Sequence, residues 1–536
     1  MSELLPELAV TPPDAVVRIE VRGGARPGRV RVLRLGDPVA EHAYDGGRWI
    51  ELGVLPEGGY GVELHDDTGL VARTAVDVRA DAGSRLRYGF VAAYPPGAEG
   101  AGVADTVRRL HLTGVQFYDW AYRHASLLGG GEQYLDALGQ PVSLDTVRRY
   151  IRVVQASGAA ALGYAAVYAV GPQEWSEWKH DALLDPAGEP YALGDFLFIV
   201  DPAAPDWLAH LRAELAASVA AAGFDGFHLD QYGYPRRAER ADGAVVDVAE
   251  SFAALIDGVR DELPDARLVF NQVNDFPTWR TARSPQDAVY IEPWEPQLTL
   301  GALAATVTRA RLLGGGKPVV MAAYQHVYDS ASAAAADRAT RLTMATLFSH
   351  GGTQLLAGET DRILVDPYYV RNHVVEASTA DMLRRWYDFL VEHDELLLDP
   401  ALPDVTDSYV GDYNGDCDVH FDVAAVSEEA VAGKVWRRIT AAGDRLVVHL
   451  VNLVGQPDTL WDAAREPFGD PGQGVLRVRP VRGRIPRIRV ADPDAEGRLV
   501  DVPLRAEGGM VVATLPRLQA WQLVLVELAP DDEAAE

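Results

Sequence analysis

Three patterns of apolar and polar positions follow one another along the chain. Residues 7 to about 85 alternate the two in short runs, VVRIEVRG, GRVRVLRLG, RWIELG, YGVELHD and LVARTAVDVRA. Turn residues such as Asp45-Gly46-Gly47 and Glu57-Gly58-Gly59 separate them. A period of two, broken by turns at this spacing, predicts an immunoglobulin-like β-sandwich over 1–86. From there the alternation is lost. Largely apolar runs at 88–94, 115–120, 160–168, 224–230, 266–272, 288–294, 318–324 and 353–359 are separated by helical stretches such as SLDTVRRYIRVVQASG and DWLAHLRAELAASVAAAG. Runs without alternation are what strands buried on both faces look like. Ser143 and Asp206 mark helix starts, Gly158 and Gly223 helix stops. Eight strand–helix units over 87–400 predict a multidomain α/β plus β protein built on a central (β/α)8 TIM barrel with loop insertions. An open doubly wound sheet is the alternative, but no glycine-rich phosphate fingerprint follows its first strand. After TADMLRRWYDFLVEHDELL the strands return without helices, from KVWRRITAAG to QAWQLVLVEL. They predict a C-terminal antiparallel β-sandwich over 401–536, closing in the acidic tail APDDEAAE.

Length agrees with this division, since 536 residues exceed what one core sustains. Charge narrows the partners. With 49 basic against 78 acidic residues the net charge is −29, which repels phosphate backbones and anionic lipid. Neither a nucleic-acid nor a membrane partner is expected, and a neutral oligosaccharide meets no such barrier. Cys417 is the single cysteine, so no intrachain disulfide and no cysteine-based metal site can form. That thiol, and a start without a basic region ahead of an apolar run, give a cytoplasmic expectation. No oligomeric state is legible.

Chemistry collects at the carboxyl ends of the predicted strands, where barrel enzymes keep their reactive groups. The fourth strand ends GFDGFHLDQYG, placing Asp230 last and His228 two residues before it. The sixth, VYIEPWEP, places Glu292 the same way, with Trp294 after it. An isolated Asp230 would as readily cap the next helix or pair with Arg236. Tyr118, Asp119 and Trp120 end the second strand, with His124 beyond. Asn271 ends the fifth, with Asn274 beyond, Tyr324 the seventh and Glu359 the eighth. Two carboxylates among aromatic and amide side chains are what glycosidic cleavage needs. One attacks the anomeric carbon and the other protonates the leaving oxygen. Aromatic faces stack on sugar rings, while Asn, His and Asp bond hydroxyls. Metal chemistry fits less well, because no histidine pair has ligand spacing, and no G-x-S-x-G elbow supports a serine nucleophile. No cofactor and no metal are expected.

VQFYDWAYRH, GFDGFHLDQYG, FNQVND, VYIEPWEP and GGTQLLAGE, in this order, resemble glycoside hydrolase family 66, which holds dextranases and cycloisomaltooligosaccharide glucanotransferases. The resemblance implies a retaining enzyme acting on α-1,6-glucan, dextran or isomaltooligosaccharides, linear or cyclic. It matches Asp230 to the nucleophile and Glu292 to the acid/base, and Tyr118, Asp119, His124, Asn271 and Asn274 to positions near sugar subsites. Hydrolysis and glucanotransfer share one intermediate, so both activities remain open. A non-catalytic sugar-binding protein would need neither carboxylate.

Overall fold

A computed structural model describes residues 2–409, 414–481 and 485–527. The acidic tail after the last predicted strand lies outside them. Eight parallel strands organise the middle of the chain: β1 (Tyr88–Val91), β2 (Gly114–Phe117), β3 (Ala160–Ala166), β4 (Gly226–Asp230), β5 (Arg267–Val273), β6 (Ala288–Glu292), β7 (Val319–Met321) and β8 (Gly352–Gln354). Each pairs with the next in sequence. The chain of β8 resumes at Ala357–Gly358, where Gly358 pairs in parallel with Phe90 of β1, so the last strand meets the first. Glycine is required there: a Cβ on Gly358 would lie 2.1 Å from the Phe90 carbonyl oxygen. Gly226 is equally constrained on β4, its Cβ position being 1.9 Å from the Arg267 carbonyl oxygen.

Helices Ala101–Arg109, Leu144–Ala156, Pro205–Ala222, Val248–Glu262, Leu300–Gly314, Ala333–Ser349 and Ala377–Glu392 pack around these strands. Ser143 caps the second through its hydroxyl, which accepts from the Thr146 amide. The helix expected to start at Asp206 starts instead at Pro205, because proline at the first turn loses no backbone bond. Between β5 and β6 only Thr278–Thr281 is helical, so the strand–helix rhythm is abbreviated at that point.

The pleat sends alternate side chains inward. His228 on β4 sits among inward rings of other strands, stacked on Tyr88 at 5.9 Å and Tyr164 at 6.2 Å, with Tyr290 edge-on at 4.7 Å. This aromatic layer floors whatever lies at the carboxyl ends.

Before β1 the chain forms antiparallel sheets of three and four strands around Ile19, Val32, Val62 and Leu64. After the last long helix it forms sheets of four and six strands around Ile439, Leu450, Leu476 and Val524. Trp521 of the six-stranded sheet packs on Trp386 at 5.8 Å and Phe389 at 5.1 Å, which joins the C-terminal sheets to the central core.

Candidate active site

β4, β5 and β6 are adjacent, so Asp230 and Glu292, which end their strands, converge with Asn271, two residues before the end of β5. The Asn271 amide donates one hydrogen bond to Asp230 Oδ1 at 2.7 Å and another to Glu292 Oε2 at 2.9 Å. Laid end to end, those bonds limit the separation of the two oxygens to little above the roughly 5–5.5 Å of a double displacement. That limit is short of the roughly 6.5–9.5 Å needed when water sits between the carboxyls. The Tyr164 hydroxyl donates to the other Asp230 oxygen at 2.7 Å. Asp230 thus bonds neutral donors, while Arg236 lies over the Phe276 ring at 5.1 Å.

The two carboxyls differ electrostatically. Burial pushes Glu292 up to about 7, the charge of Asp230 adds to the rise, and the Asn271 bond opposes it. Burial raises Asp230 to about 6, opposed by the bonds from Asn271 and Tyr164. Part of the Asp230 surface stays open, but onto a narrow cavity rather than bulk water, so desolvation still governs it. Near pH 6–7 Asp230 is the better candidate for the ionised partner, Glu292 for the protonated one.

A cavity of about 230 Å³ lies over the pair. Of the sequence-derived candidates, Tyr118, Asp119, His124, His228, Trp294 and Tyr324 line it together with Asn271. Tyr118 stacks on Tyr369 at 4.3 Å, and the Tyr369 hydroxyl lies 3.2 Å from that of Tyr290 and 3.4 Å from that of Tyr324. Burial, with the charges of Asp136 and Asp230, raises the Asp119 carboxyl well above its ordinary value, which favours its protonated form. Burial first, then Arg123, pushes His124 down to about 4, and burial alone pushes His228 to about 3; both rings are neutral at pH 7.

Three candidates are not brought into the cavity. Trp120 is fully buried against Phe224 at 4.7 Å, its indole N–H donating to the Tyr164 carbonyl at 3.1 Å. Asn274 clamps the loop after β6, donating to the Glu295 carbonyl at 2.7 Å and accepting from the Trp294 amide at 3.2 Å. Glu359 accepts from the amides of Ala92 and Ala93, both at 2.7 Å. Asp119, Asn274 and Glu359 have φ of 44°, 51° and 44°. The chain turns sharply there, which redirects the residues around each turn. Tyr164 and Tyr369 were missed. Tyr164 was within reach, since it shares the inward parity of a predicted strand. Tyr369 comes from a short 3-10 turn with no periodic signal.

A larger hollow of about 660 Å³ opens at the amino ends of the strands. Two of its carboxylates are occupied structurally: Asp225 accepts from the Ala161 amide at 2.8 Å and Asp287 from the Leu268 amide at 2.7 Å. Among the described residues no group of three or more His, Cys, Asp or Glu side chains could hold a metal ion.

The model of glycosyl hydrolase family 66 matches residues 55–525. Two cycloisomaltooligosaccharide glucanotransferases of Niallia circulans are similar in sequence. One is 27% identical over 324 residues, 55% of this chain and 33% of the relative. The other is 26% identical over 287 residues, 47% of this chain and 29% of the relative. The chain spans about a third of the length of these curated relatives. Among solved structures, a Paenibacillus sp. cycloisomaltooligosaccharide glucanotransferase complexed with cycloisomaltoheptaose superposes with a TM-score of 0.86 at 18% identity, covering 98% of this chain and all of that one. A maltogenic α-amylase from Thermotoga neapolitana superposes with a TM-score of 0.52 at 11% identity, over 84% of this chain and 99% of that one.

Proposed function

The chain belongs to glycosyl hydrolase family 66, and from that membership we propose that it cleaves α-1,6-glucosidic bonds of isomaltooligosaccharides or dextran with retention of configuration. We read its closed sheet as a (β/α)8 barrel over 87–400, flanked by β-sandwich domains over 1–86 and 401–536. Asp230 is the nucleophile and Glu292 the acid/base. Asp230 attacks the anomeric carbon as the glycosidic bond breaks, and the proton of Glu292 goes to the departing oxygen. The Glu292 carboxylate then takes a proton from the incoming hydroxyl, whose oxygen bonds the anomeric carbon as the Asp230 ester breaks. Asn271 holds the two carboxyls in register, Tyr164 fixes the second Asp230 oxygen, and Asp119 and the tyrosines face the sugar. The observation that carries this reading is the single buried amide bonded to both carboxyls.

Water as acceptor gives hydrolysis; a sugar hydroxyl gives transfer, including formation or opening of cyclic isomaltooligosaccharides. The activity named for the similar sequences favours transfer at least as strongly. Mass spectrometry of products from dextran, linear isomaltooligosaccharides and cyclic ones tests the reading. Cleavage or transfer on at least one of these is expected, and inertness on all three would overturn it.

A further inference from the structure

A second cavity, of about 440 Å³, adjoins the one over the carboxyls and shares Trp294, Tyr324 and Pro367 with it. Glu292 lines the first cavity, and the two residues that follow it, Pro293 and Trp294, line the second. One wall comes from the C-terminal β region, in Leu460, Trp461 and Asp462. That wall is fastened to the segment after β6. The Leu300 amide donates to the Thr459 carbonyl at 2.8 Å, the Trp461 amide to the Leu298 carbonyl at 3.1 Å, and the Trp461 indole to the Gln297 carbonyl at 2.8 Å. Asp462 accepts from the Val327 amide at 2.8 Å, which ties the same loop to the segment after β7.

The lining is of two kinds. Trp294, Leu298 and Leu460 remain 42%, 42% and 38% exposed around one hollow, an unusual grouping of large apolar side chains at a surface. His326, Asp366 and Asp462 add donors and acceptors among them. Apolar faces beside carboxylates and an imidazole fit a pyranose, with its C–H faces and its ring of hydroxyls.

We propose that this cavity, walled by the C-terminal β region, binds the glucosyl units on the leaving-group side and then the acceptor sugar. The inference rests on the assignment of Glu292 as acid/base, because the group that protonates the departing oxygen must lie beside the departing sugar. It assigns the loop at 458–462 a part in the partition between water and sugar. A sugar held against Leu460 and Trp461 presents a hydroxyl to the Glu292 carboxylate. That hydroxyl gives up its proton to Glu292 as its oxygen bonds the anomeric carbon and the Asp230 ester breaks.

The test uses the full chain with α-isomaltosyl fluoride as donor and isomaltose as acceptor, following fluoride release and transfer product separately. Fluoride leaves no sugar in the second cavity. Absence of fluoride release and of transfer from the parent enzyme would defeat the functional reading itself. With an active parent, Leu460→Ala and His326→Ala are each expected to raise the isomaltose concentration for half-maximal transfer roughly tenfold and to lower the ratio of transfer to hydrolysis. Both side chains are solvent-facing, so either folded variant suffices, with melting checked by circular dichroism. Parent-like isomaltose dependence in folded variants of an active enzyme would overturn the subsite while leaving the carboxylate assignment standing.

Discussion

Replacing Asn271 by alanine deletes the one side chain that touches both carboxyls. Asn271 is 2% exposed, so water does not readily take its place. A hydrogen bond to a charged group contributes about 1.5–3 kcal/mol. The amide makes one to Asp230 and one to Glu292. Loss of both, partly offset by relaxation, puts the cost to the transition state at about 3–4 kcal/mol, or roughly 100- to 1000-fold in kcat/KM. A pH signature accompanies the loss. Asn271 opposes the rise of both carboxyls, and Asp230, already pushed up to about 6 by burial, is the group that must ionise. Its acid limb should move about one unit to higher pH, since one unit corresponds to about 1.4 kcal/mol. The alkaline limb of Glu292 should move the same way. The assay is kcat/KM against pH on isomaltotetraose, whose sugar leaving group needs the proton of Glu292, with melting curves for the variant. A folded Asn271→Ala enzyme with parent-like rate and limbs would refute the bridging role.

Asp119→Ala should lower kcat/KM roughly 10- to 100-fold without unfolding the chain, because a polar side chain that lines the cavity is lost; unchanged kinetics would reduce Asp119 to a turn residue. Glu292→Gln should melt higher than the parent at pH 8 and equally at pH 4. The raised Glu292 value binds a proton more tightly in the folded state, so its penalty is absent below the ordinary value of 4.5 and complete above about 7, on the order of 3 kcal/mol. Equal melting across the whole range would show that burial does not charge the fold with this cost. Gly226→Ala should fail to accumulate as folded protein, since its Cβ would meet the Arg267 carbonyl oxygen at 1.9 Å between two paired strands; a stable variant, judged by expression and melting, would show that β4 and β5 can part.

The central strands were legible because burial on both faces removes alternation, leaving apolar runs that end abruptly at a polar residue. Asp230 and Glu292 were found by those endings. What lies one or two residues further was not, because a strand end fixes position but not direction. The positive φ at Asp119, Asn274 and Glu359 turns the backbone, so Trp120 packs behind β3 while Asp119 faces the cavity. Asn271 was placed near the sugar, but no spacing rule announces that one amide spans two carboxyls contributed by neighbouring strands. The fastening of residues 458–462 to the segments after β6 and β7 was beyond reach, since contacts across 135 to 164 positions leave no local pattern. The shortened helix between β5 and β6 has a plainer cause: the 14 residues 274–287 cannot hold a turn, a long helix and a second turn.

Partition to azide most directly tests the central claim that Asp230 and Glu292 are the nucleophile and acid/base of a double displacement. Glu292→Ala, given an aryl α-isomaltoside whose leaving group needs no protonation, should regain turnover with added azide and yield the α-glycosyl azide. Asp230→Ala should form no α-azide, and any azide product it makes should be β, from direct attack on the opposite face. An α-azide from Asp230→Ala, with none from Glu292→Ala, would contradict the account.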